Sequence, residues 1–223
     1  MATTPSSLAD LPLDELRVAI APAIADAAVF DGWSTAALDM AADEHGVDRD
    51  VVRYAFKGGQ QAMIGAWIDA IDQAMEAALP AESLAGAPIR ERIRRLVQFR
   101  LDQATGKEEA LSRALSIMAL PQNAGFALKR GWLSADRMWR LAGDTATDYN
   151  HYTKRAMLAS IYAATLSVHA GDTSEDKAAT RAFLDRRIEG VMRFEKAKAQ
   201  LLKSEREHFS LTRFLGRLRY PAA

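Results

Sequence analysis

Apolar side chains recur every three to four residues along nearly the whole of this chain and nowhere alternate regularly with polar ones, a spacing that constrains the fold more than any other feature. A period near 3.6 gathers them on one face of a helix, whereas a half-buried strand needs a period of two. An all-α fold is expected. Leu13, Leu16, Ile20 and Ile24 mark a first amphipathic helix, which Pro22 is expected to kink or split because proline removes a backbone donor. Phe30-Asp-Gly-Trp33 reads as a turn, after which Ser34 or Thr35 can cap a second helix running to about Glu44. Gly46 ends that helix, Asp48 caps a third over 48–56, and Lys57-Gly-Gly59 breaks it. Met63, Ile64, Trp67, Ile68, Ile71, Met75 and Leu79 stripe a fourth helix that stops at Pro80, with a loop over 81–88. Further helices are expected from about 89, over 108–120, over 124–142 with Gly143 closing it, over 148–170, from near 175 past 202, and over 210–219.

The chain has 223 residues, enough for one domain or two closely packed helical subdomains. It has no cysteine, so disulfides and thiolate metal sites are excluded. The start, Met1-Ala-Thr-Thr-Pro-Ser-Ser, lacks the basic and apolar regions of a secretory signal. The most apolar stretch, 63–79, is interrupted by Asp69, Asp72 and Glu76 and falls short of the ~20 apolar residues a spanning helix needs. A cytoplasmic protein is expected, able to rest on a membrane.

Ser34-Thr-Ala-Ala-Leu-Asp-Met-Ala-Ala-Asp-Glu-His-Gly-Val47 followed by Asp48-Arg-Asp-Val-Val-Arg-Tyr-Ala-Phe56 has the pattern of a helix, a glycine turn and a second short helix. It resembles the N-terminus of the tetracycline-repressor (TetR) family, so one reading is a ligand-responsive transcriptional regulator. Electrostatics oppose that reading. Residues 1–60 carry four basic side chains against ten acidic ones, a net charge of −6. DNA affinity rests largely on Lys and Arg neutralising phosphates. The would-be recognition helix sets Asp48 and Asp50 against Arg49 and Arg53, and its first turn is as acidic as it is basic. The preferred reading is therefore a degenerate helix-turn-helix head that binds no nucleic acid.

From Met118 the chain reads Met-Ala-Leu-Pro-Gln-Asn123, then Trp139-Arg-Leu-Ala-Gly-Asp-Thr-Ala-Thr-Asp-Tyr-Asn-His-Tyr-Thr-Lys-Arg-Ala-Met-Leu-Ala159, then Ala182-Phe-Leu-Asp-Arg-Arg-Ile188. Together with Phe30-Asp-Gly-Trp-Ser34, these segments resemble the ubiquinone-biosynthesis lipid-binding protein family, over about residues 13–200. Arg181 departs from it, where an aromatic residue is usual ahead of Ala-Phe-Leu. The resemblance implies a TetR-like fold and a homodimer that holds an isoprenoid quinone precursor or a phospholipid in an apolar pocket. It also implies delivery to a membrane-associated di-iron hydroxylase that acts on demethoxyubiquinone. The partner-binding patch would centre on Trp139, with Asp136 one turn earlier and Arg140 beside it. Read from the residues alone, the same block is a structural corner: Thr145 and Asp148 form a capping box, and Tyr149, Tyr152 and Arg155 pack and hydrogen-bond across it. Candidate walls for the lipid are Phe99, Leu115, Met118, Leu158, Ile161 and Tyr162, all apolar or aromatic positions at helical spacing.

Near the end, Leu211, Phe214, Leu215 and Leu218 share one helical stripe, with Arg206, Arg213 and Arg217 opposite. Residues 193–220 carry eight basic side chains against three acidic ones, a net +5. A short basic amphipathic helix of this kind suits weak, reversible binding to an anionic membrane surface. The resemblance then places the protein in the cytoplasm, peripheral to the inner membrane.

Neither catalysis nor a metal or other cofactor is expected. Asp148-x-x-His151 and Glu205-x-x-His208 each put a carboxylate and an imidazole on one helix face, but a di-iron bundle needs two such pairs and two further inward glutamates. Glu76 alone could turn inward, and His45 and His169 fall near helix ends, where capping or solvation is expected. No nucleophile elbow, phosphate loop or dinucleotide fingerprint is present. The domain plan is a flexible tail over 1–12, a helix-turn-helix-like part over 13–59, a lipid-binding and dimerising bundle over 60–203, and an amphipathic helix over 204–223.

Overall fold

A computed structural model describes residues 7–147 and 149–207, the side chains of 192 and 194–207 excepted. It is all-α among those residues. A 3-10 turn, Leu8–Asp10, leads into α1 (Leu13–Asp31), α2 (Thr35–Glu44), α3 (Arg49–Ala55) and α4 (Gly59–Ala78). A single turn, α5 (Ala81–Leu84), precedes α6 (Ile89–Asp102), α7 (Glu108–Met118), α8 (Ala124–Leu141), α9 (Tyr149–Gly171) and α10 (Ala178–Glu207).

The head folds as its local signals dictate. The Ser34 hydroxyl accepts from the Ala37 amide, and the Asp48 carboxylate accepts from the Asp50 amide at 2.7 Å and the Val51 amide at 3.4 Å, so both helices open on a capped end. Between them Gly46 takes a φ of 64°, a left-handed conformation that costs a residue with a Cβ roughly 1–2 kcal/mol. Nothing would crowd a methyl group there. Gly46→Ala should therefore lower stability by about 1 kcal/mol from backbone strain alone, read as a lower denaturant midpoint with an unchanged slope.

Pro22 neither splits nor ends α1, which runs unbroken through it. The helix is buried on both sides of the proline, at Leu16, Ile20, Ala21, Ala23, Ile24 and Ala28, where it packs on α2 and α4. That burial outweighs one lost hydrogen bond. The stretch expected to be all loop holds the turn α5, which buries Leu84.

Two apolar cores result. The first gathers α1 to α4 with Ala110, Leu111 and Ala114 of α7. Trp33 is sealed into it, its ring centroid 5.4 Å from that of Trp67 and its indole N–H donating to the Ala110 carbonyl at 2.9 Å. The second gathers Met75 of α4, Leu84, four residues of α6, Ala135 and Met138 of α8, Leu158 and Tyr162 of α9, and Leu184 of α10. Helix α4 thus serves both, and Leu166 of α9 touches both.

The second core encloses a charge. Arg100 is buried, with its guanidinium paired to the Asp72 carboxylate, donating to the Ser134 hydroxyl at 3.0 Å and lying 4.9 Å from the Tyr162 ring centroid. Arg137 approaches the other Asp72 oxygen at 3.4 Å from the surface.

Candidate functional site

The richest constellation of side chains lies where α8 turns into α9. Gly143 takes a φ of 87° and releases the chain from α8, and α9 starts at Tyr149. The expected capping box of Thr145 and Asp148 falls on Asp148, which lies outside the described residues.

Ionic bonds hold the corner. Arg155 is 2% exposed and reaches three acceptors: Asp136 at 2.5 Å from Nε, and Asp144 at 3.0 Å and the His151 carbonyl at 3.1 Å from Nη1. Asp144 also accepts from the Lys154 ammonium at 2.7 Å, and Asp136 from Arg140 at 2.8 Å. Burial pushes the Asp144 carboxyl up, but the Lys154 and Arg155 cations bring its pKa below the usual value. Asp144 thus stays ionised at neutral pH.

The expected patch residues are placed unequally upon it. Trp139 is half-buried: its indole N–H donates to the Lys154 carbonyl at 3.0 Å and the Lys154 ammonium sits 5.4 Å from its ring centroid. Asp136 is mostly covered by its two arginines, while Arg140 stands out at 72% side-chain exposure. Tyr149 and Tyr152, expected to pack across the corner, are instead 75% and 61% exposed. Arg155 packs across the corner as expected, and the exposed Tyr152 ring still meets Trp132 of α8.

The exposed apolar surface is one face over. Leu128, 75% exposed, lies one turn before the half-buried Trp132 on α8. Trp132 meets the Tyr152 ring at 6.0 Å and the His151 ring at 6.3 Å, and His151 meets Tyr152 edge-on at 5.1 Å. Beside this cluster opens a surface pocket of about 370 Å³ lined by Arg140, Thr145, Thr147, His151, Tyr152 and Arg155, among others. Leu128 and Trp132 were missed in the sequence, although their i, i+4 spacing continues to Asp136 and Arg140 and was a usable signal.

None of the six candidate lipid walls lines that pocket. Leu115 and Met118 pack against the first core, whereas Phe99, Leu158, Ile161 and Tyr162 belong to the second. The six are thus divided between the two cores, and Leu166 packs against both.

Other candidates are placed as follows. Glu76 turns outward, 45% exposed beside Arg137. His45 is exposed at the end of α2, but His169 is buried, not solvated, which corrects the expectation for it. Leu211, Arg213, Phe214, Leu215, Arg217 and Leu218 lie outside the described residues. Among the described residues no three His, Asp or Glu side chains converge as metal ligands, and no helix is long and apolar enough to cross a membrane.

On α3, Arg49 is bound through two nitrogens to Asp43 at 2.7 and 2.5 Å, and Arg53 likewise to Asp39 at 2.9 and 2.6 Å. The cations that a repressor would offer to phosphates are neutralised within the head.

The fold is TetR-like. A TetR transcriptional regulator of Nitrosomonas europaea superposes with a TM-score of 0.62 over 78% of this chain and 96% of that one, at 22% identity. Within that fold, residues 124–195, which contain the whole α8–α9 corner, match the model of the COQ9 family. Curated relatives are the mitochondrial ubiquinone biosynthesis proteins COQ9 of Rattus norvegicus, 44% identical over 100 residues, and of Homo sapiens, 42% identical over 100 residues; each match covers 45% of this chain. Those matches span about a third of the length of either relative, 32% and 31%. The COQ9 of Drosophila melanogaster is 26% identical over 204 residues, covering 90% of this chain and 61% of the relative.

Proposed function

We propose that this protein is a non-catalytic lipid-binding accessory of ubiquinone biosynthesis, which takes up an isoprenoid quinone precursor at a membrane surface and presents it to a membrane-associated hydroxylase through the α8–α9 corner. The observation that carries the reading is the coincidence of the COQ9-like stretch with an exposed aromatic cluster mounted on a buried ion network. Binding anchors are typically aromatic side chains held rigidly and ringed by polar groups. Trp132 and Tyr152 meet ring to ring beside that network, and Arg140 supplies the charged rim beside Trp139 and Asp136.

The lipid tail would lie along the seam between the two cores, parting Leu115 and Met118 from Phe99, Leu158, Ile161 and Tyr162, with about 0.8 kcal/mol gained per buried methylene. The protein would act as a homodimer, with the basic stripe of Arg213 and Arg217 and the apolar stripe of Leu211, Phe214, Leu215 and Leu218 holding it at the membrane. Pairing of Arg49 and Arg53 with head carboxylates supports a carrier over a DNA-binding regulator.

Mass spectrometry of an organic extract of protein purified without detergent tests the reading. An isoprenoid quinone or precursor at near-stoichiometric amount is the expected result; an empty extract together with a shift of duplex DNA would overturn it in favour of a regulator. The docking surface has its own test. Trp132→Ala should weaken hydroxylase binding ~10-fold or more while leaving the melting temperature nearly unchanged. Trp139→Ala should cost both binding and stability, because that ring is packed against Lys154. Unchanged hydroxylase binding by both variants would remove the corner from the mechanism.

A further inference from the structure

His169 lies in the last turn of α9, 1% exposed, and neither of its ring nitrogens meets a hydrogen-bond partner among the described residues. A buried imidazole normally finds at least one partner, so this ring occupies a place made for it only while neutral. It stands beside a corner held under constraint. The Asp172 carboxylate accepts from the Thr180 amide at 2.8 Å and hydroxyl at 2.6 Å, and from the Ser174 amide at 2.9 Å and hydroxyl at 2.6 Å. It thereby ties the first turn of α10 to the end of α9. Between them Asp176 and Lys177 take φ values of 50° and 56°, two consecutive residues with side chains in the left-handed region. What holds them there is the Lys177 ammonium, which reaches the Glu108 carboxylate at 2.8 Å and the Asp172 carbonyl at 2.7 Å.

We propose that His169 is a pH-sensitive latch on the α9–α10 corner: neutral, it allows the corner to close, and protonated, it opens the corner and frees the start of α10. An imidazolium here would carry two N–H donors with no acceptor in place. The charged groups that act on it are Lys177 from the turn, Glu108 from the start of α7, Asp172 from the link after α9 and Asp102 from the end of α6. Glu108 and Asp172 are already committed, to Lys177 and to the cap of α10. Burial first, and then the neighbouring Lys177 cation, hold the His169 pKa below the ordinary imidazole value despite the three carboxylates.

The sign follows from linkage. The unfolded imidazole takes its proton near pH ~6.5, whereas the closed corner resists it. The stability contributed by neutral His169 is therefore complete above that pH and is lost as pH falls toward the depressed folded value. The partners do not share this window. Burial pushes Glu108 up, but the Lys177 ammonium and the Gly106 amide bring its pKa down to about 2. Hydrogen bonds from Ser174 and Thr180 hold Asp172 well below the usual carboxylate range. Both carboxylates therefore stay ionised at mildly acidic pH, and the proton taken up at this corner goes to His169. An anionic membrane surface concentrates protons roughly threefold over bulk water, so arrival at such a surface biases the latch toward open. In the sequence α10 is followed by the basic stretch that the carrier reading assigns to the membrane, and to that extent the consequence of opening rests on that reading.

Hydrogen–deuterium exchange on the full chain, at pH 7.5 and 5.5 and normalised to intrinsic rates, tests this without lipid or partner. A failure here is thus distinct from a failure of the carrier reading. The amides of 172–181 should exchange at least tenfold faster at the lower pH, with the α1–α4 core unchanged, and His169→Gln should abolish that dependence. Equal protection at both values in the wild type, or a loss that persists in His169→Gln, would overturn the proposal. Imidazole titration of the wild-type protein by NMR provides a reading independent of any variant: a His169 midpoint below the ordinary imidazole value is expected, and one at or above that value overturns the latch.

Discussion

Arg100→Ala should cost roughly 3–5 kcal/mol, the largest loss expected of any single substitution in this protein, because it leaves the Asp72 carboxylate buried at 2% side-chain exposure without its main partner. Truncation also removes the Ser134 hydrogen bond and the contact with the Tyr162 ring. In a chain of this size a loss of that order lowers the melting temperature by about 6–20 °C. The pair as a whole is a different matter. Taking two charges out of water is expensive, and well-packed apolar replacements of such pairs are often neutral or stabilising. The double variant Asp72→Leu with Arg100→Met should therefore recover most of the stability lost by Arg100→Ala. Thermal unfolding of the single and double variants checks both statements, and a double variant no more stable than Arg100→Ala would show that the charges themselves hold the second core together.

Arg155→Ala should be the second most damaging change, at roughly 2–3 kcal/mol. The smaller figure has a structural reason. After Arg155 is removed, Asp136 keeps Arg140 and Asp144 keeps Lys154, so neither carboxylate is left without a cation. What is lost is the buried crosslink between α8 and α9, and with it the fixed position of the pocket and of His151 and Tyr152. The effect should therefore be local as well as global: amide exchange should rise over 139–155 before the head is affected, and near-ultraviolet circular dichroism from Trp132 and Trp139 should weaken. Arg155→Lys should recover little, since an ammonium cannot span Asp136, Asp144 and the His151 carbonyl at once. Full recovery by lysine would reduce the corner to a simple matter of charge.

These two arginines show how little of the energetics could be read locally. In the sequence Arg100 is one of several basic residues on a charged helix, and Arg155 one member of a long polar block. Nothing within ten residues of either says that it is buried, because the carboxylates that meet them come from 28 and 19 positions away. His169 escaped for the same reason: its burial depends on α7 and the turn before α10 closing over the end of α9.

The all-α fold, the order of the helices, and the caps at Ser34 and Asp48 were set by the sequence alone, as were the glycine turns at Gly46 and Gly143, because each depends on a few neighbouring residues and the 3.6 period. The resemblance that points to the COQ9-like stretch was likewise legible in linear segments, Trp139 to Ala159 foremost. Tertiary structure decided the rest. It carried α1 through Pro22, turned Tyr149 and Tyr152 outward where the sequence suggested packing, gathered Trp132 with them, and divided the six candidate lipid walls between two cores. The physical reason is common to all of these. Helix formation and capping are local, whereas burial, charge pairing and exposure depend on which distant surfaces the packed helices bring together.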